Sequence, residues 1–195
     1  MFFKKVPIQW LIVFLGNPGA KYAGTRHNVG FAVADEAEKS LGIRINRLKF
    51  SALTASAEIS GQKAFLLKPQ TYMNLSGTAV RQAMNYYRIP VDHILVISDD
   101  VALPVARIRI KRGGSHGGHN GLKDIIAKCG GDGFPRIKIG VGAPDTPEYD
   151  MADWVLGTFR GRDAEEIADA AQRAFAAVCD IMANGIDHAM NQYNG

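Results

Sequence analysis

Imidazole, carboxylate and carboxamide groups fall in this chain at a few short stretches that follow apolar or alternating runs. The first runs from Gly16 to Asn28, GNPGAKYAGTRHN, after the apolar run Trp10 to Leu15 and before a helical pattern that begins near Val29. A strand that empties into such a loop places it at the carboxyl edge of a sheet, where open α/β folds collect ligands. His27 then stands at a site mouth. Histidine takes and returns a proton near neutral pH, and Asn17 and Asn28 in the same stretch offer neutral amides for polar substrate groups. A polar loop with a surface His explains this stretch alone equally well, so the other stretches have to decide.

A second corner is Pro69 to Gly77, PQTYMNLSG, which carries Tyr72, Met73 and Asn74. Asp99-Asp100 ends the apolar run Ile94 to Ser98, and Gly113 to Gly121, GGSHGGHNG, carries His116, His119 and Asn120. A His on one corner, an acid on another and Asn17, Asn74 and Asn120 on three make a chemical set. If Asp99 holds the Nδ1–H of His27, Nε2 is free to pull a proton from water while amide N–H groups hold a carbonyl that becomes an oxyanion. Ester hydrolysis by that route needs neither a cofactor nor a covalent intermediate. The competing readings are helix caps for Asn74 and Asn120, and a cap or arginine pairing for Asp99.

Other chemistries are disfavoured. His116 and His119 have no carboxylate or Cys nearby in sequence, so a metal centre is not expected. The glycine loop lacks the ending of a phosphate-cradling P-loop and the order of a dinucleotide site, and no Gly-x-Ser-x-Gly elbow is present. Cys129 and Cys179 are single and far apart, and read as buried thiols.

The elements that must position these groups follow from periodicity. Phe31, Ala34, Ala37, Glu38 and Leu41 fall at helical spacing with Gly42 as the stop. Residues 52–68 read as a hairpin that turns at Ser60-Gly61-Gln62 and ends at Pro69. Ala79, Val80, Ala83, Met84 and Tyr87 line one face of a second helix. Arg107 to Lys111 alternates, with Ile108 and Ile110 on one face and cations on the other, and Arg136-Ile137-Lys138-Ile139 repeats the pattern. Leu122, Ile125 and Ile126 continue the glycine loop as a helix. Residues 143–153, with Pro144 and Pro147, read as a surface loop able to act as a lid. A long amphipathic helix runs from Asp163 to Gly185, and a short one follows at 186–193. Alternating strands and helices define a single α/β domain spanning 1–195, without repeats or low-complexity tracts.

With 195 residues, 47% apolar and 22% charged, the chain is long enough to bury roughly 70% of its unfolded surface in one core. Lys4 and Lys5 precede an apolar run of only six residues, Trp10 to Leu15, too short for a signal segment or a membrane span, which favours a cytoplasmic protein. The net charge of +4 leans toward an acidic partner. Placement sharpens that: Arg107, Arg109, Lys111, Arg112 and Lys123 flank the glycine loop, which favours phosphate contact.

At these same residues the sequence closely resembles the bacterial peptidyl-tRNA hydrolase family. The matching stretches are Gly16-Asn17-Pro18-Gly19 with Tyr22, Thr25 to Gly30, Lys68 to Gly77, Asp99-Asp100 with Leu103-Pro104, and Gly113 to Lys123. The resemblance implies a monomer with a mixed twisted sheet wrapped by helices, which cuts the ester between a peptide and the 3′ ribose of its tRNA. It also implies roles. His27 is then the proton acceptor, Asp99 its partner, and Asn17 the residue that separates blocked from free aminoacyl ends. Tyr22, Asn28, Tyr72, Met73, Asn74, His119 and Asn120 surround the peptide and CCA end, and Arg109, Lys111, Lys123 and Lys138 meet acceptor-stem phosphates. Ala102, Val105-Ala106 and the acidic stretch 145–150 depart from the family pattern. The alternatives are an RNA acceptor-stem-binding module without catalysis and a metal-free hydrolase of small esters or peptides.

Overall fold

The run Trp10–Phe14 (β1) is buried at every position after Trp10, a pattern that requires cover on both faces. The structure, a computed structural model, describes residues 7–146 and 148–194; Lys4, Lys5 and Pro147 lie outside them. Between β1 and the next strands lies α1 (Val29–Leu41), closed by Gly42 in the left-handed region at φ 63°. The strands β2 (Arg47–Lys49), β3 (Ala52–Ile59) and β4 (Gln62–Pro69) follow, then α2 (Ser76–Tyr87) and β5 (Ile94–Asp100). The second half holds β6 (Ile108–Lys111), α3 (Asn120–Lys128), β7 (Arg136–Gly140), α4 (Met151–Leu156), α5 (Arg162–Asn184) and α6 (Ile186–Tyr193).

One seven-stranded mixed sheet results, in the order β2-β3-β4-β1-β5-β7-β6. β1 pairs in parallel with β4 and β5, and β5 in parallel with β7, whereas β2-β3, β3-β4 and β6-β7 are antiparallel. The period-two rule then sorts the core. Ile12 and Phe14 face α1 and α5 on one side, while Leu11, Val13 and Leu15 face α2 and α3 on the other. The parallel strands β1, β4 and β5 end at one rim, and the loops after them carry the chemistry-bearing residues.

The single α/β domain, the 52–68 hairpin, the Gly42 and Gly185 stops and the two C-terminal helices stand as the periodicity predicts, and the sheet is mixed as the family resemblance implies. Three readings are corrected. β7 does not present an open basic face: it lies between β5 and β6, and both Arg136 and Lys138 are buried. Arg136 donates to the carbonyls of Ser115 at 2.7 Å and Asp132 at 3.2 Å, and stacks on Phe134. Cys129 is buried, and burial pushes its thiol up to about 11, but Cys179 is only half-buried. Finally, β2 and α4 arise where no element is read; at three and six residues each, they are too short to display a period.

Gly30 shows how the fold sets the site. It opens α1 directly against the backbone of β1 and β5, where an added Cβ would meet the Leu15 carbonyl oxygen, the Leu15 nitrogen at 2.6 Å and the Ile97 oxygen at 3.0 Å. Backbone cannot yield as a side chain does, so Gly30→Ala is expected to cost about 1–3 kcal/mol or more. Chemical denaturation of the two proteins measures this. Only glycine allows the turn ahead of α1 to sit this close to the end of β5.

Candidate active site

His27 lies in a single 3₁₀ turn, Arg26–Asn28, wedged between β1 and α1. Thr25 braces the turn: its hydroxyl donates to the Tyr22 carbonyl at 2.7 Å and its carbonyl accepts from the Asn28 N–H at 3.0 Å. Asn28 then closes the loop on itself. Its Oδ1 accepts from the Asn17 N–H at 2.8 Å and its Nδ2 donates to the Asn17 carbonyl at 3.0 Å. Asn17 in turn reaches the second corner, where its Oδ1 accepts from the Met73 N–H at 2.8 Å. Among the described residues, Asn17 Nδ2 donates to no protein group, so the amide is held by its oxygen with the N–H₂ left for another partner.

His27 Nδ1 lies 2.8 Å from Asp99 Oδ1, and His119 Nε2 lies 2.9 Å from the same oxygen. The proton positions follow from the partners. His119 Nδ1 accepts from the backbone N–H groups of Gly121 at 3.1 Å and Leu122 at 3.3 Å, so it carries no hydrogen and Nε2 must donate to Asp99. An ionised Asp99 accepts from His27 Nδ1–H as well, which leaves His27 Nε2 as a lone pair. Asp99 is 3% exposed, and such burial by itself would raise its carboxyl; the two imidazoles, His119 ahead of His27, outweigh that and hold it well below the usual carboxylate range. His119 also removes the competing reading of Asn120 as a helix cap: it is His119 that caps α3, and Asn120 is the first helical residue. A sequence signal existed, since the residue just before the helical pattern is the capping position.

These groups face a cavity of about 200 Å³ lined by His27, Asp99, His116, His119, Asn120 and Lys138, with Met151, Ala152 and Val155 of α4 as its far wall. Lys138, from β7, lines the same cavity with Nζ 2.6 Å from Asp100 Oδ2. Met73 is buried where the second and third corners meet: a Cβ on Gly121 would touch its sulfur at 2.6 Å. Tyr22 and Tyr72 meet edge to face at 6.5 Å, at the outer side of the Asn17 loop. Asn74 is exposed in the turn Met73–Leu75 and is not among the residues lining the His27 cavity. Arg109 and Lys111 project from the exposed face of β6, and Lys123 is exposed on α3.

His27, Asp99 and His119 offer three donor atoms within 4.8 Å of one another. Their chemistry does not favour a metal. Both nitrogens of His119 are engaged, and a cation would have to displace the two N–H donors that converge on Asp99.

A mixed α/β sheet, half of its pairings parallel, carries a carboxylate-held imidazole beside a rim pocket, an arrangement suited to a hydrolase. The comparisons narrow the class. Residues 11–195 match the family model described as peptidyl-tRNA hydrolase. The chain is 50% identical over 187 residues to a peptidyl-tRNA hydrolase of Caldanaerobacter subterraneus subsp. tengcongensis, covering 96% of this chain and 100% of that protein. It is 47% identical over the same span to one from Thermoanaerobacter sp.. Among solved structures, the peptidyl-tRNA hydrolase of Acinetobacter baumannii superposes with a TM-score of 0.89 at 37% identity, covering 96% of this chain and 95% of that one. The chain belongs to the peptidyl-tRNA hydrolase family.

Proposed function

We propose that this chain hydrolyses the ester joining a peptide, or an N-blocked aminoacyl group, to the 3′ ribose of tRNA, with His27 as general base. The observation that carries the roles is the row His27–Asp99–His119, whose partners leave His27 Nε2 as a lone pair beside the cavity. Nε2 takes a proton from a water whose oxygen adds to the acyl carbon. The tetrahedral oxyanion then collapses, the bond to the 3′ oxygen breaks, and the imidazolium returns the proton to that oxygen. Asp99 stabilises the imidazolium, and His119 keeps Asp99 in place. Asn17 Nδ2 and the Asn120 amide hold the carbonyl and the peptide amide, with Tyr22, Asn28, Tyr72, Met73 and Asn74 around the peptide and CCA end. A charged α-amine there would be stranded where neutral amides are expected, which explains selection for blocked ends.

The substrate body is read by charge. Arg109, Lys111 and Lys123 are among the exposed cations beside the glycine loop and would meet acceptor-stem phosphates, with Lys138 close to the pocket. We take the enzyme to act as a cytoplasmic monomer; among the described residues no helix is long and apolar enough to cross a membrane. An RNA-binding module without catalysis is not favoured, because such a module has no use for a buried carboxylate gripped by two imidazoles.

The deciding assay offers the protein N-acetylated aminoacyl-tRNA and free aminoacyl-tRNA, with and without EDTA. The expected result is release from the blocked substrate alone, unaffected by EDTA; an intact blocked ester overturns the reading. Lys111→Ala is expected to weaken tRNA binding and to flatten the plot of log affinity against log salt by about one unit, one phosphate's worth, with small esters unaffected. Titrations at several salt concentrations measure the slope, and an unchanged slope removes Lys111 from the phosphate contacts.

A further inference from the structure

The far wall of the His27 cavity is α4, a helix of six residues none of which is buried. A helix so short does not hold itself, and this one has no apolar face in the core. Its attachment is local. The Arg26 guanidinium lies 3.8 Å from the centre of the Trp154 ring and 5.1 Å from that of Phe159. Its Nη1 donates to the carbonyls of Trp154 at 3.4 Å and Thr158 at 3.3 Å, and the Arg26 backbone N–H donates to the Gly157 carbonyl at 3.0 Å. Gly157 makes room, since a Cβ there would come within 2.8 Å of Nη1. On its other edge, the Trp154 indole N–H donates to the Gly142 carbonyl at 2.8 Å. Two faces of one helix are thus used differently: Trp154 is gripped by Arg26, while Met151, Ala152 and Val155 line the cavity.

We propose that Arg26 is a positioning residue, a latch that holds α4 over the His27 cavity so that its apolar face forms the wall against which the acyl end of the substrate packs. The latch and the base are consecutive residues of one 3₁₀ turn, so the width of the cavity is set from the same backbone that carries His27. A guanidinium suits the task because it stacks on an indole and donates in its own plane at once. The inference rests on assigning the cavity to peptidyl-tRNA. His27 keeps Asp99, Thr25 and Asn28 as supports when Arg26 is removed, so loss of the latch should weaken substrate binding and leave the chemical step in place.

The test compares wild type, Arg26→Ala, Trp154→Ala and the double variant in steady-state hydrolysis of N-acetylated aminoacyl-tRNA, and in hydrogen–deuterium exchange of residues 151–156. Each single change is expected to raise KM about tenfold with kcat within about threefold, and to speed exchange in α4 while β1 and β5 stay protected. The double variant should fall well short of the sum of the two single effects, because both cut the same stacking contact. Unchanged exchange in α4, unchanged KM, a fall in kcat at constant KM, or additive effects each overturn the latch. Arg26→Gln covers an alanine variant that does not fold, and the same outcomes apply to it. A wild type that leaves the ester intact defeats the function instead, and the exchange data still decide whether Arg26 holds α4.

Discussion

Replacing His27 with Ala is expected to lower hydrolysis of N-blocked aminoacyl-tRNA by about 10²- to 10⁴-fold, the usual worth of a positioned general base. The substitution is a clean probe because of where the other bonds lie. The turn that carries His27 is braced by Thr25 and by the Asn28–Asn17 clamp, neither of which uses the imidazole. Asp99 loses one donor but keeps His119, so the remaining cost is one hydrogen bond to a buried charge, about 1.5–3 kcal/mol of stability. Asn17→Ala would be a poorer probe, since Asn17 Oδ1 ties the first corner to Met73 and its removal disturbs both loops. Single-turnover rates with the N-acetylated substrate, alongside thermal unfolding of both proteins, separate chemistry from folding. A folded variant within a few-fold of wild type takes His27 out of the mechanism.

The sequence makes the scaffold readable wherever a period has room to repeat. The run Trp10 to Leu15, the hairpin at 52–68 and the amphipathic pattern after Asp163 each declare their element and its buried side. Where it misleads, the physics is non-local. Arg136-Ile137-Lys138-Ile139 alternates like an edge strand with a wet face, and nothing within those four residues reveals that β6 closes the sheet beyond it. Lys138 then finds Asp100, and Arg136 finds two loop carbonyls, so the buried charges are satisfied by partners distant in sequence. The site divides in the same way. His27, Asp99, Asn17 and Asn120 stand out because an imidazole, a carboxylate and carboxamides recur on separate loops, a set that no single loop's local needs explain. The His119 cap lies at a readable position, but its bond to Asp99 and the stacking of Arg26 on Trp154 are illegible without coordinates: one depends on which ring nitrogen faces α3, the other on a helix too short to predict.

Asp99→Asn is expected to lower the rate by about 10- to 10²-fold, less than the loss of His27, and the reason lies in His119. Where only one imidazole faces an acid, an Asn can turn its N–H₂ toward the ring and force the wrong tautomer, at a cost of about 10⁴-fold. Here the Nδ1 atom of His119 is committed to the N-terminus of α3, so its Nε2–H must meet an acceptor. Both donors point at a single oxygen, Oδ1, which an Asn can supply while keeping His27 in the productive tautomer. What disappears is the charge that stabilises the imidazolium, worth about 1.5–3 kcal/mol for a hydrogen bond to a charged group. Asp99→Ala should fall further, toward the His27→Ala level, because it strands two N–H groups and frees the ring to turn. Stability carries its own signature. Asp99 has its carboxyl held below the usual range in the folded state, so its ionisation stabilises the fold above the unfolded value of about 4 and that support fades as pH falls through the lower, folded value. The stability gap between wild type and Asp99→Asn should therefore be widest at neutral pH and close in acid, as denaturant titrations across that range would show. An Asn variant as inactive as His27→Ala would mean that the amide has turned, and that the helix cap does not hold the network after all.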